Sequence, residues 1–162
     1  MRQALVLSKA SLSLRSPQPF DYEAIASWVV DQQACIRWAG PAVPFPLVPA
    51  TLPEILQVEG GASYCLAEGN QPCVGFGQCW TEVEGAVHIG RIMIAPEVRG
   101  QGVGRLLCEK LIHQVVESTG ALRVTLRVYR DNARARALYS SLGFAVVESK
   151  STDELLFMSA CL

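Results

Sequence analysis

The sequence predicts an α/β (α+β) fold in which helices pack on a mixed β-sheet. Three observations support this: runs of alternating apolar and polar residues, a switch to helical periodicity just after residue 100, and a strand–helix–strand unit over residues 86–129. The chain has 162 residues, half of them apolar, which suits one domain with a full hydrophobic core. We therefore expect a single domain over residues 1–162.

The first third of the chain predicts a short strand, a helix and an irregular segment. Residues 11–15 alternate as a strand, and Asp21 is placed to cap a helix that extends to Val30. Prolines then recur between residues 41 and 53. Because proline has no N–H to donate, most of this segment is expected to be irregular, with a short helix after Pro53.

Most of the remaining strands are predicted by alternation and by the turn residues that bound them. They lie at residues 63–68, 73–83, 86–95, 122–129, 144–148 and 154–159. Glu84-Gly85 is a hairpin signal between the second and third of these. In the strand at residues 122–129, Leu122 begins an apolar face, and Arg127 and Tyr129 lie on the polar face.

Two helices are predicted in the second half. Apolar residues at positions 103, 106, 107, 111 and 115 form one helical stripe, and Gly120 ends that helix. Asn132 is placed to cap the second helix, which ends at Gly143.

Composition excludes several classes of protein. A net charge of −1 lacks the basic field that drives nucleic-acid binding. The apolar run of residues 4–7 is too short for a secretory signal, and no run approaches a membrane span, so we expect a cytoplasmic protein without a membrane partner. The six cysteines include no C-x-x-C pair and lie far from the histidines, which predicts buried free thiols and no metal site.

A glycine-rich turn joins the predicted strand at residues 86–95 to the first helix. Gly100, Gly102 and Gly104 allow close approach of a ligand to the backbone, and the first amides of a helix favour an anion. Neither a dinucleotide fingerprint nor a Walker A loop fits, because the spacing is G-x-G-x-G and no Gly-Lys-Ser/Thr follows. The turn therefore suits a pyrophosphate by another route, with a tight turn that binds no ligand as the alternative.

Two segments resemble the GNAT N-acetyltransferase superfamily. Residues 99–104 (Arg-Gly-Gln-Gly-Val-Gly) match its R/Q-x-x-G-x-G/A motif, and residues 132–144 match its N-x-x-A-x-x-L-Y-x-x-L-G-F pattern. The order and separation of the two segments also suit the family. The resemblance covers roughly residues 10–160 and is weakest in the first third of the chain.

The resemblance implies a mostly antiparallel sheet that splays between the fourth strand, Ala86–Ala95, and the fifth, Leu122–Tyr129. Acetyl-CoA (coenzyme A) is expected to lie in that gap, with a strand bulge near Gly90. The implied cofactor-binding residues are Ile92, Met93, Ile94, Arg99, Gly100, Gln101, Gly102, Val103, Gly104, Arg105 and Asn132.

The resemblance also implies an enzyme that transfers an acetyl group directly to a primary amine of a small molecule or peptide. Tyr139 matches the general acid, and an amide near Met93 or Ile94 is the expected oxyanion donor. Arg127 stands where some members carry a glutamate base. His88, with a reference pKa of about 6.5, is the candidate base, and Glu82, Glu84 or ordered water are alternatives.

The acceptor is expected to enter from the side opposite the cofactor. Candidate acceptor-binding residues are Trp28, Trp38, Phe45, Trp80, Glu82, Arg127 and Tyr129. Two other readings stay open: a catalytically silent acyl-CoA-binding or sensor domain, and a transferase of a longer acyl group. Both a monomer and a homodimer are compatible with the sequence.

Overall fold

A computed structural model describes residues 7–162. The apolar run of residues 4–7, judged too short for a secretory signal, lies outside this range except for Leu7. The strands are β1 (Ser13–Arg15), β2 (Gly61–Ala67), β3 (Gly75–Val83), β4 (Ala86–Ile94), β5 (Arg123–Tyr129), β6 (Ala145–Val146) and β7 (Leu155–Cys161). They form a seven-stranded sheet in the order β1-β2-β3-β4-β5-β7-β6. Only the β4–β5 pair is parallel. The predicted mixed, mostly antiparallel sheet is therefore confirmed.

Five α-helices accompany the sheet in the described part of the chain. They are α1 (Pro19–Trp28), α2 (Gln32–Ala39), α3 (Leu52–Ile55), α4 (Val103–Thr119) and α5 (Ala133–Ser141). Gly120 ends α4 in the left-handed conformation, and the Asn132 side chain caps α5 by accepting the Ala135 N–H, as predicted. Within residues 7–162, no helix combines the length and the apolarity that a bilayer crossing requires.

Asp21 does not cap α1 but lies within its first turn. Gln18 is the N-cap residue, and its N–H donates to Asp21 Oδ2 at 2.7 Å. Asp21 Oδ1 also accepts the Cys73 N–H at 2.9 Å and an Arg15 guanidinium N–H at 3.0 Å. Burial alone would raise the pKa of Asp21, but these hydrogen bonds outweigh burial and lower it. The buried carboxylate thus joins β1, α1 and the segment before β3.

The helix α2 is absent from the sequence prediction, which assigned no element to residues 31–40. Asp31 is its N-cap and accepts the Ala34 N–H at 2.7 Å, and Gly40 ends it with a φ of 86°. The next helix, α3, begins at Leu52 rather than after Pro53. Proline is tolerated there because the first N–H groups of a helix have no acceptor within it.

The cysteines are free thiols, and all but Cys161 are buried. Asp21, Cys65 and Cys73 place one potential metal-ligand atom each within 4.8 Å of one another. However, the Asp21 carboxylate is already engaged, and the contact with Cys73, together with burial, raises the pKa of Cys65. All three residues are buried, and the Asp21 carboxylate ties the cluster into the core.

The sheet opens between β4 and β5. The two strands pair only from Ala86 to His88 on β4, against residues 123–125 on β5. Beyond that point β4 carries a bulge against β3, where Arg91 has a φ of 49°. The bulge is therefore centred on Arg91 and not on Gly90. Gly90 is required for another reason, since a Cβ there would lie 2.6 Å from Cη2 of Trp80.

Each face of the opened sheet has a different cover. Val87 and Ile89 pack with Cys108 and Val115 of α4, so His88, between them, points to the opposite face. The apolar face predicted for β5 begins at Val124, because Leu122 precedes the strand and is 74% exposed.

Candidate active site

A cavity of about 550 Å³ lies where β4, the start of α4 and α5 meet. It is lined by Ile92, Met93, Ile94, Arg99, Gly100, Gly102, Gly104, Arg105, Asn132, Arg134, Ala135 and Leu138. Of the predicted cofactor-binding residues, only Gln101 and Val103 do not line it. The three α5 residues after Asn132 are additions that the sequence analysis did not single out, although they lie within the second motif.

The glycine-rich turn presents backbone donors to this cavity. Gly100 and Gly102 both have a φ of 79°, a conformation that side-chain-bearing residues rarely adopt. Gly102 is the N-cap of α4, and the first bond across that cap joins the Leu106 N–H to the Gly102 carbonyl at 3.2 Å. The amides of residues 103–105 precede that bond, so they have no acceptor within the helix. This arrangement suits a bound anion.

Positive charge surrounds the same turn. The Lys9 Nζ lies 3.1 Å from the position that a Cβ on Gly102 would take, and the Arg134 Nη2 lies 4.0 Å from the equivalent position on Gly100. Arg99 also lines the cavity. Amides and cations together match the donor set that a diphosphate requires. Lys9 could not be found by motif, because it comes from a 3₁₀ turn at the far end of the chain.

The free edge of β4 offers further backbone groups. The Ala95 N–H donates to the Val74 carbonyl, on the β3 side of β4, at 2.9 Å. Backbone groups alternate in direction along a strand, so the Met93 amide also points toward β3. The amides of residues 92 and 94 point into the gap instead. Of the two predicted oxyanion donors, the geometry therefore favours Ile94 and disfavours Met93.

Trp38 anchors the β4 bulge. Its Nε1 donates to the Arg91 carbonyl oxygen at 2.8 Å, and its ring packs edge-on against Phe76 at 6.1 Å. The Arg91 guanidinium donates to Gln78 Oε1 at 3.0 Å and to the Leu56 carbonyl at 3.2 Å. Contacts on both the backbone and the side chain of Arg91 therefore fix the direction of the strand beyond it.

We expect Trp38→Phe to lower kcat roughly 10-fold, because loss of the indole N–H frees the bulge that aims the following amides. The free energy of unfolding should fall by about 1–3 kcal/mol, since the Arg91 carbonyl loses its donor. Steady-state kinetics and urea unfolding measure the two effects. Trp28→Phe is the matched control: Trp28 is buried in the core and should lose stability with kcat unchanged. An equal drop of kcat in both variants would contradict the role of Trp38.

Tyr139 lies in the gap between β4 and β5. It is 8% exposed, packs edge-on against Phe144 at 6.1 Å, and lines a small cavity with residues of both strands. Burial, and to a smaller degree Cys108, raises the pKa of Tyr139 well above its usual value. No hydrogen bond joins its hydroxyl to a residue within 7–162, and no side-chain N or O atom in that range is both fully buried and unpaired, so the hydroxyl keeps access to the gap cavity. The hydroxyl is thus a protonated donor facing the gap.

The His88 side chain lies on the face of the sheet that points away from α4. His88 is also the last residue of β4 that pairs with β5 before the gap. It is 3% exposed, so it is neither a surface nor a strand-edge residue. Its Nδ1 lies 2.8 Å from Thr125 Oγ1 and 3.7 Å from Glu82 Oε2, and its Nε2 lies 3.4 Å from Arg127 Nη1. Because a guanidinium can only donate, Nε2 accepts from Arg127 and the proton of the neutral ring sits on Nδ1.

The environment of His88 changes its pKa. Burial lowers the pKa from 6.5 to about 4; the Glu82 carboxylate opposes this shift, and Arg127 adds to it. The expected near-neutral pKa of His88 is therefore wrong. The imidazole is neutral at physiological pH, and its Nε2 accepts a hydrogen bond from the Arg127 guanidinium.

The depressed pKa of His88 predicts a pH-dependent stability. In the unfolded chain His88 binds a proton below about pH 6.5, whereas in the folded protein it does so only below about pH 4. The unfolded state binds more protons in that window, so stability is lost as the pH falls through it. We expect the wild type to lose roughly 2–4 kcal/mol more than His88→Gln across this window in urea unfolding. Parallel profiles for the two proteins would contradict the burial of a neutral imidazole.

A larger cavity, of about 1090 Å³, lies on the same face of the sheet as His88. Its lining includes Thr125 and Arg127 from β5, Phe157 from β7 and Glu82 from β3. Arg127 also lines the gap, and its Nη1 donates to Glu82 Oε1 at 3.0 Å. Arg127 therefore stands between this cavity and the gap.

The candidate acceptor-binding aromatics do not form one pocket. Trp28 is buried in the core, and Phe45 lies on the proline-rich segment, so neither lines the gap or the larger cavity. Tyr129 lines the gap with the Arg37 guanidinium 4.2 Å from its ring centroid. Trp80 packs against His88 at 5.0 Å. Trp28 thus serves core packing, and Phe45 lies on a loop that does not line either cavity.

Comparison with known proteins gives one family match. A family profile described as "Acetyltransferase (GNAT) family" matches residues 24–144.

Two curated relatives resemble shorter segments. The [Ribosomal protein bS18]-alanine N-acetyltransferase of Haemophilus influenzae is 40% identical over 83 residues, which is 51% of this chain and 54% of the relative. The peptidyl-lysine N-acetyltransferase YjaB of Salmonella typhimurium is 34% identical over 68 residues, 42% of this chain and 43% of the relative. The matches thus span about half of these relatives.

A solved structure of AAC(6')-Ib with ribostamycin and coenzyme A superposes with a TM-score of 0.72. It covers 93% of both chains at 19% identity, a likeness of fold.

Proposed function

The chain belongs to the GNAT acetyltransferase family, and on that premise we propose that it transfers the acetyl group of acetyl-CoA directly to a primary amine of a small molecule or peptide. One observation carries the proposal: the glycine turn, the free edge of β4 and Tyr139 line two adjoining cavities that share Ile92, Asn132 and Ala135. Every group that this reaction needs from the protein side, apart from a base, is thus within one cleft.

The donor would be held by backbone groups of this chain. Amides of residues 100–105 would bind the diphosphate, with Lys9 and Arg134 adding charge. The backbone at residues 92 and 94 would pair with the pantetheine arm much as an added strand does. Acetyl-CoA supplies an activated thioester carbonyl. The Ile94 or Ile92 amide, aimed into the gap, would stabilise negative charge on that carbonyl oxygen.

We assign Tyr139 as the general acid. Its raised pKa keeps the phenol protonated, and its hydroxyl faces the gap without a competing partner in the described part of the chain. It can therefore donate a proton to the departing thiolate.

For removal of the amine proton, we propose water beside Glu82 rather than the His88 imidazole. Burial and Arg127 both oppose a positive charge on His88, so proton transfer to it from an ammonium is unfavourable. Glu82 stays ionised and is partly exposed beside the gap-lining Arg127. An unchanged pH–rate profile in His88→Gln is the expected result, and loss of an acidic limb in that variant would restore His88 as the base.

The named relatives and the solved structure involve different classes of amine-bearing molecule. One is named for a peptidyl-lysine amine and one for a ribosomal-protein alanine, whereas the solved structure holds the aminoglycoside ribostamycin. We propose an amine acceptor for this chain, a single catalytic domain over residues 1–162, and a cytoplasmic location consistent with its free thiols.

One experiment tests the proposal. Purified protein is titrated with CoA by calorimetry, then incubated with acetyl-CoA and a panel of primary amines while free thiol is measured. We expect CoA binding and amine-dependent thiol release. Binding without release from any amine would indicate an acyl-CoA-binding protein instead, and absence of CoA binding would overturn the cleft assignment.

A further inference from the structure

The larger cavity on the His88 face is built from alternate residues of adjacent strands. Thr125 pairs with His88 on one side and with Ser159 on the other, so these three side chains form one row across the sheet. Arg127 and Phe157 form the next row toward the gap, and Arg123 lies on the other side of the row. The cavity therefore runs along β5 and β7 and reaches the gap at Arg127.

Charges in this cavity are unevenly matched. Its lining includes the carboxylates of Glu82 and Glu84 and the cations Arg123, Arg127 and Lys150. Glu82 is paired with Arg127. Neither Arg123 nor Lys150 forms an ion pair with any residue in the described range 7–162.

The two unpaired cations converge on one place. Arg123 Nη1 reaches toward the central row and donates to Ser159 Oγ at 3.2 Å. From the gap side, Lys150 Nζ lies 5.1 Å from the Phe157 ring centroid. Ser159 and Phe157 are neighbours on the same face of β7. Both positive groups thus flank the space above Ser159.

Arg127 is a second cation that lies against the same aromatic ring as Lys150. The Arg127 guanidinium carbon also lies 5.1 Å from the centroid of the Phe157 ring, which is only 5% exposed. Two cations on one ring are within roughly 10 Å of each other, about a Debye length at physiological salt, so their repulsion is only partly screened. Glu82 neutralises Arg127 alone. An anion above Ser159 would relieve the repulsion and satisfy Arg123 and Lys150 together.

We propose that this cavity is the acceptor site and that it selects amines carrying an anionic group, a carboxylate or phosphate, which Arg123 and Lys150 bind above Ser159. This inference rests on the proposed acetyltransferase function, since it names the substrate class of that same site.

The rows also set the length of the acceptor. Residue 92 on β4 lies four residues beyond His88, which is roughly 13 Å of extended strand or less with the bulge. Of the two gap-facing amides, that of residue 92 is nearer to this cavity, so a thioester held there sets the shortest acceptor. Ser159 lies two strands across from His88, about 10 Å, which puts the space above it at most roughly 16 Å from residue 92. Hydrogen-bond reach of about 3 Å at each end leaves at most roughly 10 Å for the acceptor. A six-carbon ω-amino acid spans that distance.

Calorimetry on the CoA-saturated protein tests the inference without turnover. The two probes are 6-aminohexanoate and 6-aminohexanamide, which differ only in the negative charge. We expect the carboxylate to bind about 10-fold or more tightly than the amide, and to be acetylated with a correspondingly lower KM. Equal dissociation constants, or no measurable binding of the carboxylate, would overturn the inference.

Variants locate the effect. Arg123→Gln combined with Lys150→Gln should weaken 6-aminohexanoate binding about 10-fold or more and leave the amide unchanged. Lys110→Gln, on α4 away from this cavity, is the control and should change neither. A preference for the carboxylate that survives the double variant would place the anion elsewhere and overturn the assignment. Because CoA binding is measured separately, failure of the acetyltransferase proposal is distinguishable from failure of this one.

Discussion

Tyr139→Phe lowers kcat by roughly 10²–10⁴-fold and leaves the dissociation constant for CoA unchanged, if the phenol is the general acid. The variant keeps the ring and its edge-on contact with Phe144 but removes the only atom that could donate the proton. Single-turnover thiol release isolates the chemical step. Stability should change little, because the hydroxyl has no hydrogen-bond partner among the described residues to lose.

Tyr64→Phe is the matched control for this prediction. Tyr64 is a half-buried tyrosine on β2, away from the gap, so the same chemical change there should leave kcat intact. Full activity of Tyr139→Phe would remove the phenol from the mechanism. A drop in both variants to the same degree would point to a packing defect.

Gly102→Val weakens CoA binding by about 100-fold or more. The residue stands at a φ of 79°, and its new Cβ would approach Lys9 Nζ to 3.1 Å. A β-branched side chain at this position either strains the turn or rotates it, and both outcomes move the amides of residues 103–105 away from the diphosphate. Calorimetric titration with CoA measures the loss.

The other end of the same helix provides the control. Gly120 also has a left-handed φ, of 66°, and a Cβ there meets nothing within 4 Å. Gly120→Val should therefore cost a similar free energy of unfolding, about 1–3 kcal/mol, with CoA affinity preserved. If both valine variants lost CoA binding equally, general destabilisation rather than the turn would explain the result.

Local sequence signals predicted the parts of the fold that local chemistry determines. The ends of α4 and α5 follow from Gly120 and Asn132, whose caps act within one turn. The β4–β5 gap followed from the family resemblance, and the parallel pairing confirms the topology. The short helix α2 was missed because its eight residues adjoin a proline-rich segment that suggests irregular structure.

Features that depend on distant contacts could not be predicted. Lys9 reaches the glycine turn from nearly 100 residues away along the chain, and Trp38 reaches the bulge from α2. His88 shows the same limit for chemistry: its residue type suggested a base, but only its burial and its contact with Arg127 reveal a depressed pKa.

The short β4–β5 contact has a mechanical consequence. Among residues 7–162, three residue pairs and one hydrogen bond, from the Leu122 N–H to the Gly85 carbonyl, join the two half-sheets edge to edge. The strands that flank the gap are therefore expected to fray at their open ends. Acetyl-CoA bound between β4 and β5 would hydrogen-bond to the open strand edge and reduce this fraying. Hydrogen–deuterium exchange at the amides of residues 92 and 94 should then slow on CoA binding, with additional protection spreading into β5 and β7.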